Sequence, residues 1–221
     1  MGGLTPPTVL VATRSAHKLD EIRRLLADVP VRLVGPPDLD LEPLAEEDAL
    51  EPHDTFAANA LSKARYFHER AGVPTLADDS GLSVDALDGG PGVRAKRFAP
   101  PIWAETWGTD EANNRWLLSR LEGVPAARRG AHYVCALAGV DARGEAVFEG
   151  RVEGAIADAP RGEGGFGYDP LFVPDGETHT YAELPAEAKE RTSHRAAAVR
   201  AAREWVTGVS SESGGPAPSR P

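Results

Sequence analysis

The chain has 221 residues, which suits one domain or one domain with an embedded lobe. It is 41% apolar and 26% charged, enough to bury a core, and 34 acidic against 24 basic side chains leave a formal net charge of −10. That acidity excludes a general binder of nucleic acid or of an anionic membrane surface, both of which need cationic charge. A lone cysteine, Cys135, excludes an internal disulfide framework and a cysteine-based zinc site. No apolar run approaches a membrane span, and the first residues have no basic start followed by an apolar stretch. The expectation is a cytoplasmic protein that handles something small.

In chain order, Thr8 to Ala12 reads as a buried strand, followed by a polar loop from Thr13 to Lys18. A helix then carries Leu19, Ile22, Leu25 and Leu26 on one face, and Val31 to Val34 reads as a second strand after Pro30. Strand, loop, helix and strand open an α/β layered fold. Residues 35 to 54 form an irregular excursion rich in Pro, Asp and Glu. Phe56, Ala60, Ala64 and Phe67 then mark a helix from Thr55 to about Arg70, with Thr55 or Asp54 as its N-cap. A short strand, Thr75 to Ala77, is expected to end at Asp78-Asp79-Ser80-Gly81. Glu111 to Leu121 is helical, and His132 to Val140 with Ala146 to Val152 form a hairpin. A Gly-rich stretch leads into Leu171 to Val173, and a last helix spans Ser193 to Trp205. The domain is expected over residues 8–206, with a disordered Ser/Gly/Pro-rich tail over 207–221.

Four segments hold polar residues that a plain scaffold would not need. Thr13 to Lys18 joins a strand to a helix, so its backbone N–H groups and Lys18 can cradle phosphate, although it has no Walker glycines. Asp78 and Asp79, followed by Ser-Gly, suit a divalent metal and an activated water; a turn with an Asp cap is the plainer alternative. In Gly164-Gly165-Phe166-Gly167-Tyr168-Asp169-Pro170 the glycines admit a ligand closely, and Phe166 or Tyr168 can stack on a flat ring. Lys189 and His194 converge only if a helix begins near Ser193 and Lys189 lies in the turn before it. The remaining histidines show no ligand spacing, Cys135 reads as core, and Trp103, Trp107 and Trp116 read as packing.

Together and in this order, these segments resemble the inosine triphosphate pyrophosphatase family, from about Val9 to Val206. The most specific matches are ADDSGL at Ala77 to Leu82, GGFGYDP at Gly164 to Pro170, and Ser193-His194-Arg195; Thr55-Phe56, Asn59-Ala60 and Lys63-Ala64 match a family helix. The resemblance implies an α/β fold with a long mixed central sheet flanked by helices, two lobes with an active-site cleft between them, and a homodimer. It implies Mg²⁺-dependent hydrolysis of non-canonical purine nucleoside triphosphates (ITP, dITP, XTP) to the monophosphate and pyrophosphate.

Carried over by position, Thr13, Ser15 and Lys18 would line the phosphates, and Arg14, Ala16 and His17 would bind substrate with them. Asp79 would be the catalytic carboxylate and, with Glu51, a metal ligand. Ser80 would be a further substrate contact, and Phe166, Gly167, Tyr168, Asp169, Lys189, His194 and Arg195 would hold the base and polyphosphate. The first loop departs from the family's usual Thr-Gly-Asn-x-(Gly/His)-Lys at Arg14 and Ser15, and Ala58 stands where many members have Glu. Two neighbouring readings use the same residues: a Maf-like nucleotide pyrophosphatase, and a nucleotide-binding module without turnover. A buried donor such as Arg195 or His194 would pair with a 6-oxo purine and meet a donor when adenine arrives.

Overall fold

Side-chain alternation along the first strand sets the layers. In the computed structural model, which describes residues 5–212, Val9 and Val11 of β1 (Thr8–Val11) pack into one apolar cluster and Leu10 into another. Residues on opposite pleats of a strand face opposite sides, so both faces of this strand are buried, as a parallel strand requires. The first cluster receives Ile22 of α1 (Ala16–Leu25) and Ala198, Val199, Ala202 and Val206 of α6 (His194–Glu212). The second receives Ala60, Ala64 and Phe67 of α2 (Phe56–Ala71).

The sheet has six strands in the order β2-β1-β3-β4-β5-β6. Strands β2 (Arg32–Val34) and β3 (Thr75–Val84) both run parallel to β1, on its two sides. The long hairpin β4 (Gly130–Asp141) and β5 (Gly144–Ile156) and the short β6 (Phe172–Pro174) complete it antiparallel. The expected mixed α/β architecture is present. A third apolar cluster lies at the β6 end, where α4 (Thr109–Arg120) brings Leu117 against Leu82, Tyr133, Tyr168 and Phe172. Helix α3 (Pro101–Trp107) precedes it, and Trp103 packs edge-on to both Trp107 and Trp116.

Three expectations need correction. Asp78 to Gly81 do not end a strand; they lie in the middle of ten-residue β3. The reason is β4, which pairs with every residue from Thr75 to Val84 and holds this polar segment extended. The excursion at 35–54 contains short 3₁₀ turns, Pro36–Leu39 and Ala45–Ala49. The last helix does not stop at Trp205 but runs to Glu212, so residues 207–212 of the expected tail are helical. Val199, Ala202, Val206 and Val209 continue one buried stripe into the first cluster. Residues 213–221 lie outside the described residues. Among the described residues no helix is long and apolar enough to cross a membrane.

The sheet and α6 approach closely at Gly150, where an added Cβ would stand 2.0 Å from the His194 carbonyl oxygen. That contact fixes the start of α6 over β5. Chain ends at Glu212 and at Gly208 separate the helical continuation from the rest of the tail. The shorter chain exposes the pocket that Val209 fills and should be less stable by roughly 1–2 kcal/mol, read as a lower denaturant midpoint.

Candidate active site

The strand order 2-1-3 places a switch point at the carboxyl end of β1, where α/β sheets bind ligands. β1 leaves β3 after pairing Val11 with Leu76, so the edge of β3 from Asp78 to Ser80 opens toward the loop that follows β1. A cavity of roughly 740 Å³ lies there, within the usual range for small-molecule sites. Thr13, Ser15, Lys18, Glu51, Lys63, Asp79, Ser80, Phe166, Lys189, His194 and Arg195 all reach its wall.

Adjacent carboxylates on β3 point to opposite faces of the sheet and meet different chemistry. Asp78 faces α1 and α6: its Oδ2 accepts from Lys18 Nζ at 3.0 Å, Arg195 Nη2 at 3.2 Å and Ser80 Oγ at 3.2 Å. Burial alone would raise its pKa, but the charges of Lys18, Arg195 and Lys63 outweigh that and hold Asp78 well below the usual carboxylate range. Asp79 faces α2, where its Oδ2 accepts from Asn59 Nδ2 at 3.0 Å, and its Oδ1 accepts from Ser80 N–H at 3.0 Å. Burial, reinforced by the nearby Glu51 carboxylate, outweighs Lys63 and Asn59 and pushes Asp79 up to about 6.

Lys63 stands between these groups, with its Nζ 2.5 Å from Glu51 Oε1. The side chain is largely desolvated, which opposes its charge, yet Asp78 and Glu51 raise its pKa and keep it an ammonium. Glu51 is desolvated as well, and Lys63, Lys18 and Lys96 outweigh that to lower its pKa.

The loop after β1 is built as a helix start. Ser15 caps α1 by accepting from Lys18 N–H, and Thr13 Oγ1 accepts from Ser15 N–H at 3.1 Å. Arg14 lines the same cavity, but its guanidinium is engaged by the protein: it donates to both oxygens of Glu47 and to the Leu41 carbonyl, and it lies over the Phe67 ring. His17 stacks on Phe166 at 5.4 Å between ring centroids.

The Gly-rich loop presents Phe166 rather than Tyr168. Tyr168 is buried in the third cluster, and its hydroxyl donates to the Ala95 carbonyl at 2.7 Å. Asp169 Oδ2 holds the loop by accepting from Phe166 N–H at 2.9 Å and from Lys189 Nζ at 2.5 Å. Gly165, at φ +73, packs where a Cβ would meet that same Asp169 oxygen at 2.0 Å.

Lys189 lies in a short helix, α5 (Ala186–Thr192), and the extended Ser193 separates it from α6. This break lets Lys189, His194 and Arg195 converge; a helix does begin beside Ser193, but Lys189 lies in a helix of its own rather than in a turn. Lys189 Nζ sits 4.6 Å from the Phe166 centroid, and Arg195 reaches the same ring at 5.8 Å. The guanidinium of Arg195 is fully committed at its ends, to Glu21, Asp78 and Ser80 Oγ. His194 stacks nearly parallel on Tyr133 at 4.5 Å. Burial, with Arg195 and Lys189 nearby, holds its pKa well below the ordinary value, so the ring is neutral at pH 7.

The motifs do not single out Glu21, which bridges Lys189 and Arg195, nor Glu47, which collects Arg14 and Arg70. Helical spacing carries a signal for the first, since Lys18 and Glu21 are three apart on α1 and share a face.

Comparison with known proteins shows the family. The model of the Ham1 family matches residues 9–205. The chain belongs to the Ham1 family. Among its relatives, a dITP/XTP pyrophosphatase of Nocardia farcinica is 50% identical over 198 residues, covering 89% of this chain and 93% of that protein. One of Frankia alni is 47% identical over 195 residues, covering 87% and 93%. Among solved structures, a HAM1 protein from Coxiella burnetii superposes with a TM-score of 0.77 at 31% identity, covering 93% of this Ham1 chain and 99% of the other. A nucleoside-triphosphatase / dITP/XTP pyrophosphatase from Mycobacterium abscessus gives 0.66 at 42% identity, covering 90% and 97%.

The Asp78 network makes a stability prediction. Asp78→Asn leaves Lys18 and Arg195 facing a neutral group in a buried site, which should cost about 3–5 kcal/mol at pH 7. The folded pKa of Asp78 lies below its unfolded value, so its contribution is present above roughly pH 4 and fades as pH falls further. Denaturant melts of the wild type and variant should therefore differ most near neutrality and converge in acid.

Proposed function

We propose that this Ham1 protein is a dITP/XTP pyrophosphatase, cleaving non-canonical purine nucleoside triphosphates to the monophosphate and pyrophosphate. One observation carries the reading: a single cavity joins Asp79, a carboxylate only partly neutralised, and the Glu51 carboxylate near it to a cluster of lysines and to the Phe166 loop. A triphosphate has a matching layout, with anionic oxygens at one end and a flat ring at the other. The relatives named above carry the same activity in their names.

In this reading the cavity is the cleft between two lobes, with the β1–β3 edge on one side and the Gly-rich loop on the other. Thr13, Ser15 and the N-terminal amides of α1, with Lys18, receive phosphate oxygens. Phe166 provides the platform for the base, and neutral His194 can offer either a donor or an acceptor to its edge. Arg195 acts through Asp78 and Ser80, which it holds in place.

The donor set fits Mg²⁺. Asp79 and Glu51 are hard oxygen ligands close enough for one charge to raise the other's pKa, and a divalent ion relieves that repulsion. Mg²⁺ is typically bound through one or two carboxylates plus substrate phosphates and waters, so a larger cage of side chains is not required. When bound it would neutralise phosphate charge and acidify a water. Asp79 would accept the proton of the attacking water through the carboxylate that lies at the cavity wall. Asn59 fixes the orientation of that carboxylate, and Lys63 keeps Glu51 ionised. We further propose the homodimer expected from the resemblance, to be checked by light scattering.

The direct test is pyrophosphate release, with and without Mg²⁺, across dITP, XTP and the common nucleoside triphosphates. Strong Mg²⁺-dependent turnover of dITP and XTP over dATP supports the proposal; binding without pyrophosphate release refutes it. Asp79→Asn should lower turnover by roughly 10²- to 10⁴-fold. In the absence of divalent ions, the stability of the same variant relative to wild type should improve as pH rises from about 4 through 6. A carboxylate whose folded pKa exceeds its unfolded value loses native stability as pH rises between the two, and the amide removes that cost.

A further inference from the structure

We infer that α4 sets the pose of the Phe166 ring, with Asp110 and Asn114 as positioning residues for base recognition; this rests on the proposed role of Phe166 as the base platform. Asp110 and Asn114 are four residues apart, so they share one face of α4 a turn apart. Asp110 Oδ2 accepts from Gly167 N–H at 2.8 Å, and Asn114 Nδ2 donates to the Gly167 carbonyl at 2.9 Å. One bond grips the peptide plane before Gly167 and the other the plane after it. The first plane is shared with Phe166, so its orientation directs where that ring points.

Gly167 needs this restraint. It lacks a Cβ, and its φ of +62 lies in the left-handed region, so nothing intrinsic to the residue fixes its two torsions. On the other side of Phe166, Asp169 accepts from the Phe166 N–H, and Gly164 N–H donates to the Ala182 carbonyl at 3.0 Å. The loop is thus tied down on both flanks of the ring that faces His17 and Lys189.

Helix α4 is a rigid source for such a restraint. Ala112 and Leu117 are fully buried, and between the two gripping residues Asn113 donates to the Ala95 and Lys96 carbonyls and accepts from Ala99 N–H. One helical turn therefore holds two backbone segments of the cavity wall. Asn114 adds a telling detail: its Oδ1 is buried without a partner among the described residues. An apolar side chain would avoid that cost, so the amide is kept for its donor to Gly167.

Misplacing Phe166 should harm what depends on the base and spare what depends on the phosphates. Asp110 is exposed, so Asp110→Ala removes one grip without opening the core. Steady-state kinetics with dITP and dATP, on wild type, Asp110→Ala, Asn114→Ala and Asp110→Asn, test the inference. Each alanine variant should raise KM for dITP and narrow the dITP-to-dATP ratio of kcat/KM, both by roughly tenfold, with a much smaller change in kcat. Asp110→Asn should recover most of the loss, because a neutral amide oxygen can still accept from Gly167 N–H. A wild-type preference that survives Asp110→Ala unchanged, or a loss equal for both nucleotides, overturns this inference alone. A wild type with no preference for dITP overturns the proposed function and this inference with it.

Discussion

The structure depends on how two adjacent carboxylates on one strand are kept different. The pleat of β3 sends Asp78 toward α1 and α6 and Asp79 toward α2. Asp78 meets a lysine, an arginine and a hydroxyl, and its charge is absorbed into the scaffold. Asp79 meets an amide and lies near a second carboxylate, so its charge is left partly uncompensated. A single residue step thus separates a structural anion from the one assigned the chemistry in the proposed reaction. The β4 strand makes the separation firm, because it pairs through both residues and leaves neither free to twist.

This also resolves how a chain of net charge −10 accommodates a polyanion in the proposed reaction. Lys18, Lys63 and Lys189 converge on one cavity, and each is held by a carboxylate of the protein. Lysines arriving from α1, α2 and α5 are thereby fixed in direction before any substrate enters, which reduces the reorganisation that binding must drive. Arg195 is different in kind. Both ends of its guanidinium are engaged, and it serves as the buried hub that joins α1, β3 and α6.

Much of the fold was legible because its core elements keep simple periods. The strand at Thr8, the helix beginning at Phe56 and the long hairpin carry apolar residues at strand or helix spacing, and they fall where the pattern places them. The extent of β3 was not legible, since Asp-Asp-Ser-Gly has poor strand propensity and only its antiparallel partner holds it extended. Helix α5 was hidden because AEAKERT has no apolar stripe, although its break at Ser193 is what brings Lys189 to the site. Motif and order singled out Lys18, Asp79, Phe166, Lys189 and His194, which do converge on the cavity. The direction of Arg14 and the grip of α4 on Gly167 were not legible. A side chain that binds the backbone of a loop 53 residues away leaves no spacing to read.

The anchoring of Arg14 has a mechanical meaning. Glu47 gathers Arg14, Arg70 and the Leu44 N–H, and Arg14 also holds the Leu41 carbonyl. The excursion that ends in Glu51 is therefore bolted at one point to the loop after β1 and at another to α2. Displacing Glu51 relative to Asp79 would load that bolt and drag Thr13 to Lys18 along with it. The excursion and the loop after β1 would then move together as one stiff bracket.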